Sequence, residues 1–372
     1  MLRVSNLQIV IFTGVVVLLL LATREGIPQN NWEVVTEIPT ERADFATAVV
    51  DGKIYLFGGT LFENARGRKR ENEPGIWRGP FGTSVAEVYD PRTNTWERLA
   101  DMPTARAHAR AAVVDGKIYV IGGYAGIDNR GENLRFPKVT EVYDPQTDTW
   151  ERKQDMLVAR RSFGIGVVAG KIYVIGGLNY LIKPWRLDLV EMYDPDTDTW
   201  SNRAKMSTRR HLLQAAVIKD TIYAIGGSGW PEVVNQRGPF LQTVEIYRPK
   251  TNRWKKGVDM PRLRSSFSAV VVSDRIYVIG GVDGVVVTYL GTVEVYDPAK
   301  EKWHESSPMP TGKKPFGVAA VNGRIYVFGG RGENQEFYKT VEVFDTGFRA
   351  ASAIGKLSTR WGELKAHRQS QP

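Results

Sequence analysis

The sequence runs to 372 residues with no cysteine, which excludes disulfides, thiolate metal ligands and cysteine nucleophiles. Its 50 basic and 41 acidic residues leave a formal charge of +9, compatible with attraction to anions and equally with plain solubility. The 37 glycines, 10 tryptophans and 15 tyrosines suit a chain of short strands and tight turns.

Residues 1–8 carry one cation, Arg3, and no acid, and residues 9–22 (IVIFTGVVVLLLLA) carry no charge. As a helix that apolar core spans about 21 Å, short of a roughly 30 Å hydrocarbon layer. The pattern predicts a secretory signal segment, although no A-x-A cleavage site is visible. The alternative is an uncleaved membrane anchor that borrows residues 4–8 for length. Either expectation puts the rest of the chain outside the cytoplasm: secreted, periplasmic, or held at the membrane by an N-terminal helix. Arg3 fits an inward N-terminus, and Arg24 weakens the contrast. The division read from the sequence is residues 1–30 as signal or anchor, 31–346 as one repeat domain, and 347–372 as a tail of unassigned role.

From residue 31 onward one unit recurs six times. Its core is GKIYLFGG at 52–59, GKIYVIGG at 116–123 and 170–177, DTIYAIGG at 220–227, DRIYVIGG at 274–281 and GRIYVFGG at 323–330. A basic residue stands 16 positions before the first glycine every time: Arg42, Arg106, Arg160, Arg210, Arg264 and Lys313. In five units a glutamate (Glu87, Glu141, Glu191, Glu245, Glu294) precedes a tryptophan by nine residues, and the next basic residue follows by ten. The step from glycine to glutamate alone varies: 29, 19, 15, 19, 14 and 13 residues. Insertions confined to one connection collect on one face, often a binding face.

Each unit reads as four strands. Strand a is small and apolar (AAVV at 111–114), and Asp-Gly or Asn-Gly suits the two-residue hairpin that follows. Strand b (IYVIG-like) is apolar enough to be buried on both faces. Strand c is the V-E-V-Y-like run. A D-P-x-T-x-T turn then leads to strand d and its tryptophan. The pattern predicts an all-β, six-bladed β-propeller with four antiparallel strands per blade.

The glycine pair, the Tyr-Asp-Pro of strand c and the spaced tryptophan resemble kelch repeats over about residues 32–345. The sixth unit has no tryptophan nine residues after Glu342, whereas Trp32 stands ten residues before Arg42. The spacing predicts that the N-terminal strand completes the last blade and closes the ring, leaving no exposed edge. The tail segment 357–364 (LSTRWGEL) also holds a tryptophan, but its spacing fits no unit.

In an up-and-down blade the d-to-a and b-to-c connections share a face. The expectation is a ring of Arg42, Arg106, Arg160, Arg210, Arg264 and Lys313 around the channel mouth, without carboxylates. Two roles stay open. The cations hydrogen-bond carbonyls of a neighbouring blade, or they hold an anionic ligand, to which arginine forks are suited. Asp44, His108, Arg161, His211 and Lys314 stand beside them. The loops add the basic run 66–70, Trp77, Tyr124, Tyr180, Lys183, Trp185, Arg186, Trp230 and Phe240. Aromatic rings beside cations suit sugars or acidic peptides. The six strand-c glutamates occupy identical places, which argues for a structural role, since an active site needs asymmetry.

The resemblance implies two kinds of function. Kelch-like ubiquitin-ligase adaptors hold acidic peptides on this face with arginines, and a periplasmic N-acetylneuraminate epimerase is a six-bladed relative. The expected role is therefore an exported, monomeric propeller that binds a protein partner or an anionic sugar or peptide. The alternatives are an enzyme on an acidic sugar, with Asp44 and His108 as the asymmetric acid/base candidates, or a structural, adhesive module. Nucleic acid does not fit an exported chain. Without cysteine the crosslinked copper cofactor of galactose oxidase cannot form, and two histidines near the mouth are too few for a metal. No cofactor is expected.

Overall fold

The computed structural model describes residues 31–61, 82–127, 134–229, 240–284, 288–314, 317–333 and 336–348. The signal or anchor segment and the C-terminal tail from residue 349 onward lie outside the described residues. Among those described, no helix is long and apolar enough to cross a membrane.

The chain forms six four-stranded antiparallel sheets. Blade 1 runs Ala46–Val50, Lys53–Phe57, Ala86–Asp90 and Thr95–Arg98, in strand order a-b-c-d. Blade 2 starts at Arg110–Val114, blade 3 at Gly164–Val168, blade 4 at Gln214–Ile218 and blade 5 at Ser268–Val272, each in the same order. Blade 6 takes Gly317–Val321, Arg324–Arg331 and Phe337–Asp345 as strands a to c, and Trp32–Glu37 as strand d. The expected closure is present. Trp32 sits opposite Phe344, where the complete blades set Trp96 opposite Tyr89 and Trp150 opposite Tyr143.

Burial follows the pattern of the sequence. Strand a alternates buried and half-buried positions, as in Ala46–Val50, so one side meets the blade and the other lines the central channel. Strand b is shielded on both sides: Ile54, Ile118, Ile172, Ile222, Ile276 and Ile325 are all 0% exposed. The a–b hairpins turn on left-handed residues such as Asp51 (φ 51°) and Gly52 (φ 75°).

The glycine pair joins neighbouring blades. Gly59 N donates to Arg106 O of blade 2 at 2.9 Å, and Gly123 N to Arg160 O of blade 3 at 3.0 Å. A Cβ on Gly58 would stand 2.3 Å from Arg106 O, so the close approach of the next backbone requires glycine there. The strand-d tryptophans fasten the outer rim of the same seams. Trp150 Nε1 donates to Ala100 O at 2.9 Å, Trp200 Nε1 to Gln154 O at 2.9 Å and Trp32 Nε1 to Ser307 O at 3.1 Å.

Candidate functional site

The six repeat-spaced cations are side chains of the interior. Arg106, Arg160, Arg210, Arg264 and Lys313 are 0% exposed and Arg42 is 3% exposed. Each meets the strand-c glutamate of its own blade: Arg42–Glu87 (3.0 Å), Arg106–Glu141 (2.5 Å), Arg160–Glu191, Arg210–Glu245 (2.7 Å), Arg264–Glu294 (2.9 Å) and Lys313–Glu342 (2.9 Å). The arginines also cap carbonyls where strands b and c begin or end, such as Leu56 O for Arg42, Val120 O for Arg106 and Gly226 O for Arg210. A second donor from the d–a connection satisfies the carboxylate: Thr40 on Glu87, Thr104 on Glu141, Ser207 on Glu245.

These observations correct two expectations. The ring does not converge on the mouth without carboxylates, because every member has one. The carbonyls it caps belong to its own blade and not to a neighbour. Burial lowers the pKa of Arg42 to about 10 and raises that of Glu191 and Glu294, with the opposite charge of each pair opposing the shift. A ligand in solvent does not reach these groups. Arg42, Arg106, Arg160, Arg210, Arg264 and Lys313 are therefore the internal bolts of the blades.

The mouth itself is built from the next two positions. The residue after each basic side chain pairs with the residue after the glycine pair: Ala43 with Thr60, Ala107 with Tyr124, Arg161 with Leu178, His211 with Ser228, Ser265 with Val282 and Lys314 with Arg331. The residue two after it is left-handed: Asp44 (φ 53°), His108 (φ 54°), Ser162 (φ 53°), Leu212 (φ 54°) and Ser266 (φ 52°). Backbone bonds run along this inner ring, from His108 N to Asp44 O (2.8 Å) and from Leu212 N to Ser162 O (2.8 Å). A buried, paired cation and a mouth-facing residue thus stand side by side in the chain.

At the mouth His108 Nδ1 lies 3.5 Å from Asp44 Oδ1. His108, Lys314, Arg161 and Arg110 together hold the Asp44 carboxyl below its usual range, against the opposing effect of burial. Burial pushes His108 down to about 4, with Asp44 opposing and Arg161, Lys314 and Arg110 adding to the fall. Burial and the nearby Arg186 push His211 down to about 3. Both imidazoles are neutral at pH 7. Their folded values lie below the unfolded value of 6.5, so the unfolded state binds more protons between the two. Their contribution to stability is then full above pH 6.5 and lost as pH falls through about 4 for His108 and about 3 for His211. The depressed Asp44 acts in the same direction below its ordinary value of 3.8. Thermal denaturation between pH 7 and pH 4 should show a falling midpoint, and a flatter fall in His108→Asn and His211→Asn. An equally steep fall in both variants contradicts this assignment.

Arg161 is held at the mouth by aromatic rings. Its guanidinium lies 4.8 Å from the Tyr124 ring, 5.9 Å from Phe136 and 5.7 Å from Tyr180. Its Nε is buried without a hydrogen bond, and no carboxylate pairs with it among the described residues. Arg331 is similarly placed against Phe337, at 5.4 Å. The rings continue through Tyr180 to Trp185 (5.9 Å), over which Lys183 Nζ sits at 5.7 Å. Between them Tyr180, Leu181 and Ile182 form an apolar finger, 44%, 61% and 41% exposed. Buried Asn179 clamps its base: Nδ2 donates to Ala159 O (2.8 Å) and Oδ1 accepts from Leu181 N (2.7 Å).

Of the residues singled out in the sequence, the structure brings Asp44, His108, Arg161, His211, Tyr124 and Trp185 to one face with Arg186 and Lys314. Trp77, Trp230 and the basic run 66–70 lie outside the described residues. The sequence reading missed Arg331 and Arg110. Arg331 directly follows Gly330, where the other units carry Thr60, Tyr124, Leu178, Ser228 and Val282, so aligning the units on the glycine pair would have exposed it. Among the described residues, no cluster of three or more histidines and acids stands ready for a metal ion.

Comparison with known proteins places these features in context. Residues 31–227 match the family described as the KLHDC2/KLHL20/DRC7 Kelch-repeats domain, and residues 209–261, 263–310 and 313–349 match the Kelch motif. Kelch-like protein terF of Aspergillus terreus is 34% identical over 186 residues, 46% of this chain and 37% of that protein. Kelch-like protein 15 of Danio rerio is 30% identical over 165 residues, 42% of this chain and 26% of that protein. The chain thus spans well under half the length of these curated relatives. The solved structure of YjhT superposes with a TM-score of 0.67 at 18% identity, covering 83% of this chain and 96% of that one, a likeness of fold.

Proposed function

The chain belongs to the kelch-repeat family, and on that premise we propose that it is an exported binding propeller whose loop-face mouth takes a carboxylate-bearing segment of a protein partner. The single observation that carries the reading is Arg161. Three rings and a buried Nε fix its guanidinium, so little rotamer entropy remains to be lost when a planar oxyanion docks on its free edge. Lys314, Arg186 and Arg331 on the same face give the mouth a cationic field with Asp44 as the nearby acid. The finger of Tyr180, Leu181 and Ile182 shares the Tyr180 ring with the Arg161 box. Exposed aliphatic groups match an apolar side chain beside an acid and not a polyhydroxylated sugar, which favours a protein partner.

A second reading, an enzyme on an acidic sugar, rests on the Asp44–His108 pair at 3.5 Å. Two groups that are both unprotonated at pH 7 supply a base without an acid, so the pair favours this reading less.

The experiment is a fluorescence-anisotropy titration of the full chain with three labelled probes: a peptide of glutamate and leucine, its glutamine counterpart, and N-acetylneuraminate. The acidic peptide should bind, weaken as salt rises, and weaken at least tenfold in Leu181→Asp. Equal binding of the glutamine peptide overturns the reading, and turnover of the sugar lost in Asp44→Asn replaces it with the enzyme.

A further inference from the structure

Beneath the mouth the propeller axis holds a cavity of about 150 Å³, lined by strand a of all six blades through residues including Thr47, Arg110, Ile165, Gln214, Ser268 and Val318. Arg110 breaks the repeat. The same position is Ala46, Gly164, Gln214, Ser268 and Gly317 in the other blades, so the blade architecture does not call for a cation there. Arg110 Nε donates to Phe163 O at 3.0 Å. Its two terminal nitrogens have no hydrogen-bond or carboxylate partner among the described residues, and they are not sealed off, so they open on the cavity.

The other polar groups of the wall differ in what they leave available. Gln214 Nε2 is turned to Phe267 O (2.7 Å) and Thr47 Oγ1 to Val318 O (3.2 Å). The Ser268 hydroxyl makes no hydrogen bond among the described residues and lines the cavity. The acid that acts on Arg110 is Asp44, whose carboxylate also answers to His108, Lys314 and Arg161. Asp44 therefore does not serve Arg110 alone. A guanidinium facing a narrow channel is completed there by water or by an anion.

We propose that the channel is a second anion site, distinct from the Arg161 box, which takes a small planar carboxylate held by the Arg110 terminal nitrogens and the Ser268 hydroxyl. A cavity of about 150 Å³ accepts a molecule of benzene size, so acetate or a short aliphatic acid fits with room for water. The fork of the guanidinium matches the two carboxylate oxygens. Ile165, Ala215, Ala269 and Val318 give the alkyl end an apolar wall. The site does not depend on Arg161 and stands or falls apart from the mouth.

The test is thermal denaturation of the full chain in sodium acetate against sodium chloride at matched ionic strength. The wild type should show a saturable rise in midpoint that is specific to acetate. Arg110→Gln should shift the half-saturating acetate concentration upward at least tenfold, and Arg110→Lys should keep a weakened response. In Arg161→Ala, which removes the mouth's own carboxylate site, a saturable acetate response should remain. Should Arg110→Gln fail to fold, Ser268→Ala serves instead, with a several-fold upward shift expected. An acetate response no larger than that to chloride, or one unchanged in Arg110→Gln or Ser268→Ala, overturns the proposal.

Discussion

Arg160→Ala should lose on the order of 3–5 kcal/mol in urea denaturation, because it leaves the Glu191 carboxylate buried without its partner. Arg160 and Glu191 are both 0% exposed, and Arg160 also caps Gly176 O and Leu189 O. Those carbonyls would lose their donor together with the charge. The cost measures a broken pair and not the net worth of an intact one. Replacing both members by apolar groups, as in Arg160→Met with Glu191→Leu, should recover a large part of the loss. Arg161→Ala, one residue on, should cost about 1 kcal/mol or less, the scale of its contacts with the rings. Equal losses at Arg160 and Arg161 would show that the two neighbours do not have separate roles.

The second large effect is at the closure. Trp32 is 7% exposed, lies 5.1 Å from Phe344 and packs with Val272, Tyr277, Ile279 and Val293 of blade 5. Its indole nitrogen bonds Ser307 O of the same blade. Trp32→Ala should therefore cost about 3–5 kcal/mol, as large-to-small replacements of buried aromatics do. The effect should exceed simple loss of packing. Weakening strand d of blade 6 exposes the edge of Phe337–Asp345, so the variant should also associate on warming. Light scattering alongside the denaturation curve reads both. A stability change within about 0.5 kcal/mol would mean that this strand does not close the ring.

The architecture was readable because each unit repeats the same demands on the same residues. A buried strand needs an unbroken apolar run, a blade seam needs glycine at Gly58 and Gly122, and an outer rim needs an indole. Even the N-terminal closure showed in the ten-residue step from Trp32 to Arg42. The cation–glutamate bolts were hidden although both marks were visible. The variable loop lies between the partners, so they stand 35 residues apart in Arg106–Glu141, 31 in Arg160–Glu191 and 35 in Arg210–Glu245. Linear spacing therefore gave no sign of the pairing.

The candidate site was harder for the opposite reason. Arg161, Arg331 and Arg110 matter because they depart from the repeat, and only alignment of the units with one another sets that departure apart from surface charge. The rings that hold Arg161 come from Tyr124 and Phe136 of blade 2 and Tyr180 of blade 3. That convergence exists only after the blades pack. The left-handed backbone at Asp44 and His108, which turns both toward the axis, has no residue signature either, since Leu212 adopts the same conformation.

The central claim is that the buried cations carry the fold while their mouth-facing neighbours carry binding. Arg161→Met and Arg331→Met, singly and together, titrated with the glutamate–leucine peptide and melted in parallel, test it most directly. The account predicts at least a tenfold loss of affinity in each single variant, a larger loss in the double variant, and melting midpoints close to that of the wild type. Unchanged affinity in the double variant, or a loss of affinity that merely follows a loss of stability, would contradict it.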